Sequence, residues 1–298
     1  MVYDIIIIGG GPAGISAGIY ATSRGKKTVI LEKAAVGGLI GSVSTVTHYA
    51  AITDNETGKS FAERLKKQAL DAGVDIVYEE VTKVELKGEA KTVQTAENLY
   101  VAPKVIIACG TTPRRLGVDG EAALDGIGIN LNAATDGPRF AGKNVYVIGG
   151  ADGAVKEALY LADIAKSVTI IHFEDKLGCV REFQDKVAAK DNIHLALGQQ
   201  LHAIYGSDRV EGLELIDGEG QTETIMDPGC GVFVYAGSVP NTRLFTELPL
   251  ENGFIPVDEK MQTVLPGVYA AGDIRVKQVR QGATAVADGA IAAINAAM

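Results

Sequence analysis

Three glycines near the start of the chain are spaced in the pattern G-x-G-x-x-G. Gly9, Gly11 and Gly14 follow an apolar, β-branched run and open a segment with helical periodicity. In this setting the first glycine permits a tight turn, the second lets the backbone approach a pyrophosphate, and the third lets helix pack on strand. Glu32 ends the next predicted strand, 18 residues after Gly14, where its carboxylate can accept from ribose hydroxyls. The combination predicts a dinucleotide site.

The elements that must position this turn occur twice along the chain. The first set is predicted at 2–8 (strand), 12–23 (helix) and 27–31 (strand), and the second at 144–148, 155–164 and 168–171. A strand at 267–271 and a helix at 283–297 then return at the end of the chain. The sequence therefore predicts an α/β fold with two Rossmann-like, three-layer dinucleotide-binding domains, the second inserted into the first. The expected domains are 1–112 with 244–298, and 113–243.

Shorter segments complete the two predicted domains. Alternating segments at 75–78, 81–86, 92–95 and 100–101 predict a small meander, and a buried strand follows at 104–108. In the inserted domain, a helix is predicted at 182–190, a strand at 193–197, two meander strands after it, and an apolar strand at 231–236.

Composition excludes several classes of protein. Of 298 residues, 47% are hydrophobic and 22% are charged, which is incompatible with a disordered chain. The 28 Lys and Arg against 37 Asp and Glu give a net charge of −9, which repels nucleic acid backbones. No apolar run is long enough to cross a membrane. The chain runs straight into a strand without a charged leader and apolar h-region, so a cytoplasmic location is expected.

Four ordered motifs carry a family resemblance. They are Gly9-Gly10-Gly11-Pro12-Ala13-Gly14, Ala108-Cys109-Gly110, Gly237-Ser238-Val239-Pro240-Asn241-Thr242 and Gly267-Val268-Tyr269-Ala270-Ala271-Gly272-Asp273. On these motifs the chain resembles the low-molecular-weight thioredoxin reductases over essentially its whole length. The resemblance implies an FAD oxidoreductase, and it implies a homodimer.

The resemblance also implies residue roles at the first site. Glu32 is expected on the FAD ribose, Asp273 on the ribityl chain, and Arg280, Gln281 and Ala283 beside the pyrimidine edge of the flavin. A helix N-terminus beside that edge would stabilise negative charge on the reduced ring. The full set of expected FAD-binding residues is Gly9, Gly11, Pro12, Ala13, Gly14, Glu32, Lys33, Gly38, Leu39, Gly110, Gly272, Asp273, Arg280, Gln281 and Ala283.

The dithiol of that family is absent. Its Cys-Ala-Thr-Cys-Asp-Gly segment corresponds here to residues 132–137, where Asn132 and Thr135 replace the two cysteines. Asn and Thr form neither a disulfide nor a thiolate, so the usual path from flavin to a protein disulfide is closed. Asp136 corresponds to the family's proton donor, and its other interpretation is a turn residue before glycine. Asp136, Asn132 and Thr135 remain the catalytic candidates.

The second glycine turn departs from the family as well. Gly149, Gly150, Ala151 and Asp152 open the second unit, and Ala151 places a methyl where the family has the glycine that approaches the pyrophosphate. After the next strand, Glu174 and its acidic neighbour stand where the family has two arginines for the 2′-phosphate of NADPH. Two carboxylates repel that phosphate, which makes NADPH an unlikely reductant. Glu174 instead suits the ribose of NADH or of a second FAD, or lies in a solvated loop.

The three cysteines give no paired motif. Cys109 ends a buried strand and is expected to be a small buried hydrophobe, whereas Cys179 follows a strand on the ligand-binding side and is the candidate redox thiol. Cys230 precedes a strand, so a bridge between Cys179 and Cys230 is not expected. No metal site is predicted.

Three hypotheses follow for function. In the first, an FAD oxidoreductase takes electrons from ferredoxin, flavodoxin or a second flavin in the inserted domain and passes them to an unidentified acceptor. In the second, NADH is the donor. In the third, the chain is a non-catalytic flavin-binding redox sensor.

Overall fold

The computed structural model describes all 298 residues and divides the chain into two compact units. Unit 1 comprises Met1–Thr112 with Val239–Met298, and unit 2 comprises Pro113–Ser238. The second boundary lies five residues earlier than the sequence suggests, because residues after Ser238 pack within unit 1. Asn241 Nδ2 donates to the carbonyl of Cys109 at 2.8 Å, and Phe245 is buried in the unit 1 core.

Unit 1 is built on a five-stranded parallel sheet with a small antiparallel sheet beside it. Its strands are β1 (Ile5–Ile8), β2 (Thr28–Leu31), β3 (Asp75–Val77), β4 (Val81–Glu85), β5 (Lys91–Thr95), β6 (Leu99–Ala102), β7 (Lys104–Ile107) and β18 (Val268–Ala270). The parallel sheet has the order β18-β7-β1-β2-β3, and β4, β5 and β6 form the meander. Apolar clusters cover both faces of the parallel sheet, which explains the unbroken isoleucine run of β1.

One prediction for unit 1 is wrong. The segment at 75–78 is not part of the meander, because β3 pairs in parallel with β2 and is the edge strand of the main sheet. Its three residues are exposed or half-buried, so the segment lacks the buried apolar run that identifies an inner parallel strand.

Three α-helices and a short 3₁₀ helix complete unit 1. They are α1 (Pro12–Thr22), the 3₁₀ helix (Gly38–Ser42), α2 (Gly58–Asp71) and α7 (Gly282–Ala296). Thr57 and Ser60 form a capping box at the start of α2. Helix α7 lies directly on α1, where Ser16 Oγ donates to the carbonyl of Val286 at 2.8 Å.

Unit 2 repeats the plan with a second five-stranded parallel sheet. Its strands are β9 (Ile129–Asn130), β10 (Asn144–Ile148), β11 (Ser167–His172), β12 (Ile193–Leu197), β13 (Gln199–Gly206), β14 (Val210–Asp217), β15 (Thr222–Met226) and β16 (Gly231–Val234). The parallel sheet has the order β12-β11-β10-β16-β9. The antiparallel sheet has three strands, β13, β14 and β15, where two were predicted.

The remaining elements are short. Unit 2 carries α3 (Glu121–Leu124), α4 (Ala133–Asp136), a 3₁₀ helix (Gly137–Phe140), α5 (Asp152–Ala162) and α6 (Arg181–Ala188). The two chain crossings, β8 (Thr111–Pro113) and β17 (Ser238–Pro240), form a two-stranded sheet. No helix combines the length and the apolar composition that crossing a membrane requires.

The predicted fold class is confirmed, and it fixes where ligands bind. In unit 1 strand β1 lies between β2 and β7, and in unit 2 strand β10 lies between β11 and β16. At such positions the chain leaves on opposite sides of the sheet, which opens a crevice at the carboxyl ends of the strands. The two glycine turns lie at these two ends.

Candidate functional site

The three glycines of the first turn meet three different steric demands. Gly9 has a φ of +107°, and a Cβ there would overlap the carbonyl of Ala108. A Cβ on Gly14 would overlap the carbonyl of Gly9, so helix and turn touch at this point. Gly11 precedes α1 with a φ of −72°, and a Cβ there would meet no atom within 4 Å. The absence of a side chain at Gly11 therefore leaves open space in front of the helix N-terminus.

Glu32 ties the end of β2 to this turn. Its Oε2 accepts from the backbone N–H of Gly10 at 2.7 Å, and its Oε1 accepts from that of Ala34 at 2.9 Å. A carboxylate has about four acceptor positions, so both oxygens keep capacity for further donors. The carboxylate can orient the turn and still accept from a ribose hydroxyl.

The other candidates on this side of unit 1 lie around the turn. Pro12 and Ala13 form the start of α1, while Lys33 and Leu39 are exposed. A Cβ on Gly38 would lie 3.4 Å from Cα of Gly11, which brings the 3₁₀ helix against the glycine turn. Gly110 has a φ of +59° just after β7, so its left-handed backbone turns the chain there.

A second acidic group lies after β18. Asp273 Oδ1 is buried without a hydrogen-bond partner and lies 3.8 Å from Lys277 Nζ. Burial raises the pKa of Asp273, although the nearby basic groups oppose this shift. An unpartnered buried acceptor is costly unless a ligand hydroxyl satisfies it.

The remaining predicted residues of this region lie at the start of α7. The guanidinium carbon of Arg280 lies 4.1 Å from the centre of the Phe254 ring, and its Nε is buried without a hydrogen-bond partner. Gln281 is the N-cap residue of α7, and Ala283 is exposed in its first turn. The free N–H groups of that turn give this end a partial positive charge.

Sequence analysis missed a buried ionic cluster under this region. Asp288 on α7 accepts from the backbone of Gly272 at 3.1 Å, from Arg275 at 2.8 and 2.6 Å, and from Lys277 at 2.8 Å. Burial acts to raise the pKa of Asp288, but hydrogen bonds from Arg275 and Lys277 outweigh it and lower the pKa. The cluster fixes the turn that carries Asp273. A carboxylate on the buried face of an alanine-rich helix was the available signal.

These residues fit an FAD. The open space at Gly11 would receive the pyrophosphate, Glu32 would accept from the ribose, and the unpartnered oxygen of Asp273 would accept from a ribityl hydroxyl. All belong to unit 1.

The turn of unit 2 has the same backbone and different side chains. Gly149 has a φ of +128°, and a Cβ there would lie 2.6 Å from the carbonyl of Tyr235. Gly150 lies against the His172 ring, which a Cβ would overlap. Ala151 is the N-cap residue of α5 with a φ of −84°, close to that of Gly11. Its exposed methyl therefore occupies space that Gly11 leaves open in unit 1.

The acidic groups of unit 2 already have partners. Glu174 Oε2 lies 3.2 Å from His172 Nε2, and the Glu174 side chain is half exposed. Asp152 Oδ1 accepts from the backbone of Val180 at 2.8 Å, which ties the loop before α6 to the glycine turn. Phe173 is exposed next to Glu174, and its ring lies edge-on to the His172 ring with 4.8 Å between the ring centres.

The segment that lacks the dithiol keeps a helical turn. Asn132 is the N-cap residue of α4, and its Oδ1 accepts from the backbone of Thr135 at 3.1 Å. Thr135 is exposed, and a carboxylate oxygen of Asp136 lies 3.8 Å from Arg139. The side chain of residue 132 therefore caps the backbone of residue 135, and neither residue carries a sulfur.

The three cysteines are unpaired, and burial makes each a poor nucleophile. Cys179 and Cys230 lie in separate apolar clusters of unit 2, so no bridge joins them. Burial raises the pKa of Cys179, and it raises the pKa of Cys109 and Cys230 to about 12. The position of Cys179 in the core argues against its role as an accessible redox thiol. No cluster of three or more His, Cys, Asp or Glu residues is arranged to hold a metal ion.

Comparisons with known proteins match nearly the whole chain. The family model described as pyridine nucleotide-disulphide oxidoreductase matches residues 3–289. A thioredoxin reductase of Peptoclostridium acidaminophilum is 38% identical over 99% of this chain and 96% of its own. The structure of Lactococcus lactis thioredoxin reductase superposes with a TM-score of 0.95 at 32% identity, covering 99% of this chain and 97% of that one.

The name of a further relative includes ferredoxin. A ferredoxin-flavin thioredoxin reductase from Clostridium acetobutylicum is 30% identical over 99% of this chain and 97% of its own, with a TM-score of 0.54. Taken with the family match, these relatives make the chain an FAD-dependent oxidoreductase that belongs to the pyridine nucleotide-disulphide oxidoreductase family.

Proposed function

We propose that this enzyme is a divergent, thioredoxin reductase-like FAD oxidoreductase that works without an internal dithiol and without NADPH. Its donor is reduced ferredoxin or flavodoxin, or a second flavin in the inserted domain, and its acceptor meets the cofactor directly. Bound FAD supplies both one- and two-electron redox chemistry. The protein supplies the glycine turn, the two carboxylates and the helix N-terminus described above.

The observation that carries the proposal is the turn at Asn132. The turn keeps a hydrogen bond from the backbone of residue 135 to the side chain of residue 132, yet an amide and a hydroxyl replace the thiols. Neither group can accept an electron pair by breaking a sulfur–sulfur bond. An acceptor disulfide, or any other acceptor, must therefore be reduced without a protein dithiol between it and the cofactor.

The arrangement in unit 2 supports a donor other than NADPH. Glu174 and Asp175 present negative charge after β11, and the Ala151 methyl narrows the approach to the N-terminus of α5. A 2′-phosphate carries about two negative charges at neutral pH and needs cationic donors. The Clostridium acetobutylicum relative, named as ferredoxin-linked, supports a protein donor for this chain.

NADH is the second candidate donor, and Glu174 is the observation that favours it. A carboxylate that follows the second strand of a Rossmann unit is suited to the 2′-hydroxyl of an unphosphorylated ribose. Glu174 lies in that position and is half exposed. Because the family match makes the chain an enzyme, the redox-sensor hypothesis is not needed.

The test is anaerobic bleaching of the visible flavin band by NADPH, NADH and reduced ferredoxin in turn, with FAD counted per chain. We expect ferredoxin to bleach the band and NADPH to leave it unchanged. Two FAD per chain would identify a second flavin as the internal donor. Rapid bleaching by NADH, with a loss of at least tenfold in affinity in Glu174→Gln and none in Asp191→Asn, would select the second candidate. Rapid bleaching by NADPH contradicts the proposal.

Restoring the dithiol tests the second part of the proposal, that no protein dithiol lies between the cofactor and the acceptor. Thioredoxin turnover is expected to appear only in the double variant Asn132→Cys/Thr135→Cys, because its two sulfurs would lie one helical turn apart at a helix N-terminus, which lowers a thiol pKa. The matched control is Asn132→Ser/Thr135→Ser. If the unmodified enzyme reduced thioredoxin as fast as the cysteine variant, the cofactor would reduce thioredoxin directly, and the expectation that thioredoxin turnover requires a protein dithiol would be wrong.

A further inference from the structure

A cavity of about 590 Å³ opens at the edge of the unit 1 sheet opposite the glycine turn. Its lining includes Lys104, the first residue of β7, and Gly267, which immediately precedes β18. The cofactor residues lie at the carboxyl ends of the same strands. With four residues in β7, the two edges are about 13 Å apart. The cavity is therefore distinct from the FAD site.

The charges around this cavity are mostly positive. Lys87, Lys91 and Lys104 line it, and Glu89 is the only acidic residue among the lining residues. The lining thus carries a net charge of +2, whereas the whole chain carries −9. Three cations beside a single carboxylate leave an excess of positive charge that attracts an anion.

Lys91 is the buried member of this group. Only 3% of the residue is exposed, and its Nζ donates to the carbonyl of Gly88 at 2.6 Å. An ammonium has three donors, and Lys91 has no other hydrogen bond or ion pair in the structure. Burial lowers the pKa of Lys91, and the charge of Lys104 lowers it further, although Glu89 opposes the shift. A buried ammonium with two spare donors is suited to an anion.

The surrounding backbone leaves room beside this ammonium. Gly267 has a φ of +77°, and a Cβ there would lie 3.2 Å from Lys91 Nζ and 2.7 Å from the carbonyl of Pro103. The bare glycine keeps that space free. Leu86, Pro103, Leu265 and Pro266 add apolar walls, which suit a carbon skeleton attached to the charged group.

We propose that this cavity, which lies where β5, β7 and β18 begin, is a binding site for a small organic anion that carries a phosphate or a carboxylate. Lys91 and Lys104 hold the anionic group, and the leucine and proline side chains contact the rest of the molecule. The site does not depend on the identity of the electron donor, so it stands or falls separately from the proposed function.

The experiment is isothermal titration of the full-length, FAD-loaded enzyme with inorganic phosphate and, separately, with benzoate at constant ionic strength. We expect at least one probe to bind, and we expect Lys91→Met to weaken that binding at least tenfold. Phosphate binding that depends on Lys91 points to a phosphate ligand, and benzoate binding alone points to a carboxylate. Lys83→Met, an exposed lysine paired with Glu85 on the adjacent strand β4, is the matched control and should bind as the unmodified enzyme does.

A second variant protects the test against a folding defect. Lys104→Gln removes the half-buried cation of the cavity and should also weaken binding at least tenfold. Because phosphate can also bind a free glycine turn, only binding that is lost with Lys91 or Lys104 counts in favour. No binding by either probe, or equal affinity in all variants, overturns the proposal.

Discussion

Asp273 is the residue whose environment most directly calls for a ligand. Its Oδ1 is buried without a donor, so the FAD-free protein bears a desolvation cost that a ribityl hydroxyl would remove. We expect Asp273→Asn to raise the Kd for FAD about 10- to 100-fold, since a hydrogen bond to a charged group contributes about 1.5–3 kcal/mol. Fluorescence titration of the FAD-free protein measures this. Asp191→Asn, an exposed substitution in unit 2, is the control, and an unchanged Kd in Asp273→Asn would remove Asp273 from the cofactor site.

Cys230 makes stability depend on alkaline pH. Burial raises its pKa from an ordinary 9.0 to about 12, so between these values the unfolded thiol ionises while the folded thiol keeps its proton. Its contribution is therefore complete below pH 9 and is lost as pH rises toward 12, at about 1.4 kcal/mol per pH unit. Urea unfolding under reducing conditions from pH 9 to 10.5 should show a shallower fall in unfolding free energy for Cys230→Ala. Identical slopes would mean that the folded thiol ionises too.

At the scale of elements, the contact between α1 and α7 has no spare room. A Cβ on Gly289 would overlap the backbone carbonyl of Ala13, so the helices could not keep their separation. Gly289→Ala should lower the unfolding free energy by about 1–3 kcal/mol, as overpacked sites do. Gly153→Ala in α5 is the matched control, because a Cβ there meets nothing within 4 Å. It should be neutral or stabilising by up to about 1 kcal/mol, because alanine favours the helix over glycine. Equal losses in both variants would mean that the contact with Ala13 is not the cause.

The sequence predicted a strand well when that strand lies inside its sheet, and poorly when it lies at an edge or is very short. Strands β1 and β10 lie inside their sheets, and their continuous apolar runs identified them. The edge strand β3 has exposed and half-buried residues and was assigned to the wrong sheet, while β9, with two residues, has no periodicity to detect. The glycine turn and Glu32 were predictable because local spacing fixes them. The cluster around Asp288 was not, because its basic partners reach it only after α7 packs on the sheet.

For the whole molecule, the two units have separate apolar cores, and unit 2 is one continuous stretch between two adjacent crossings. Within unit 1, Asn241 N donates to Gly110 O at 3.1 Å, and Thr112 Oγ1 donates to Asn241 Oδ1 at 2.7 Å, so the two chain ends left by removing unit 2 are close. Replacing 113–238 by a short glycine-rich linker should therefore leave a folded unit 1, since a short loop closes at little entropic cost. This shortened chain should bind one FAD within about threefold of the full-length affinity.

Residues 113–238 alone should unfold cooperatively and bind NADPH at least tenfold more weakly than NADH, because Glu174 repels the 2′-phosphate. Flavin titration and calorimetry of the two pieces measure both outcomes. If the shortened chain folded but lost FAD, the second unit would contribute to the flavin site, and the assignment of all the cofactor contacts to unit 1 would be wrong.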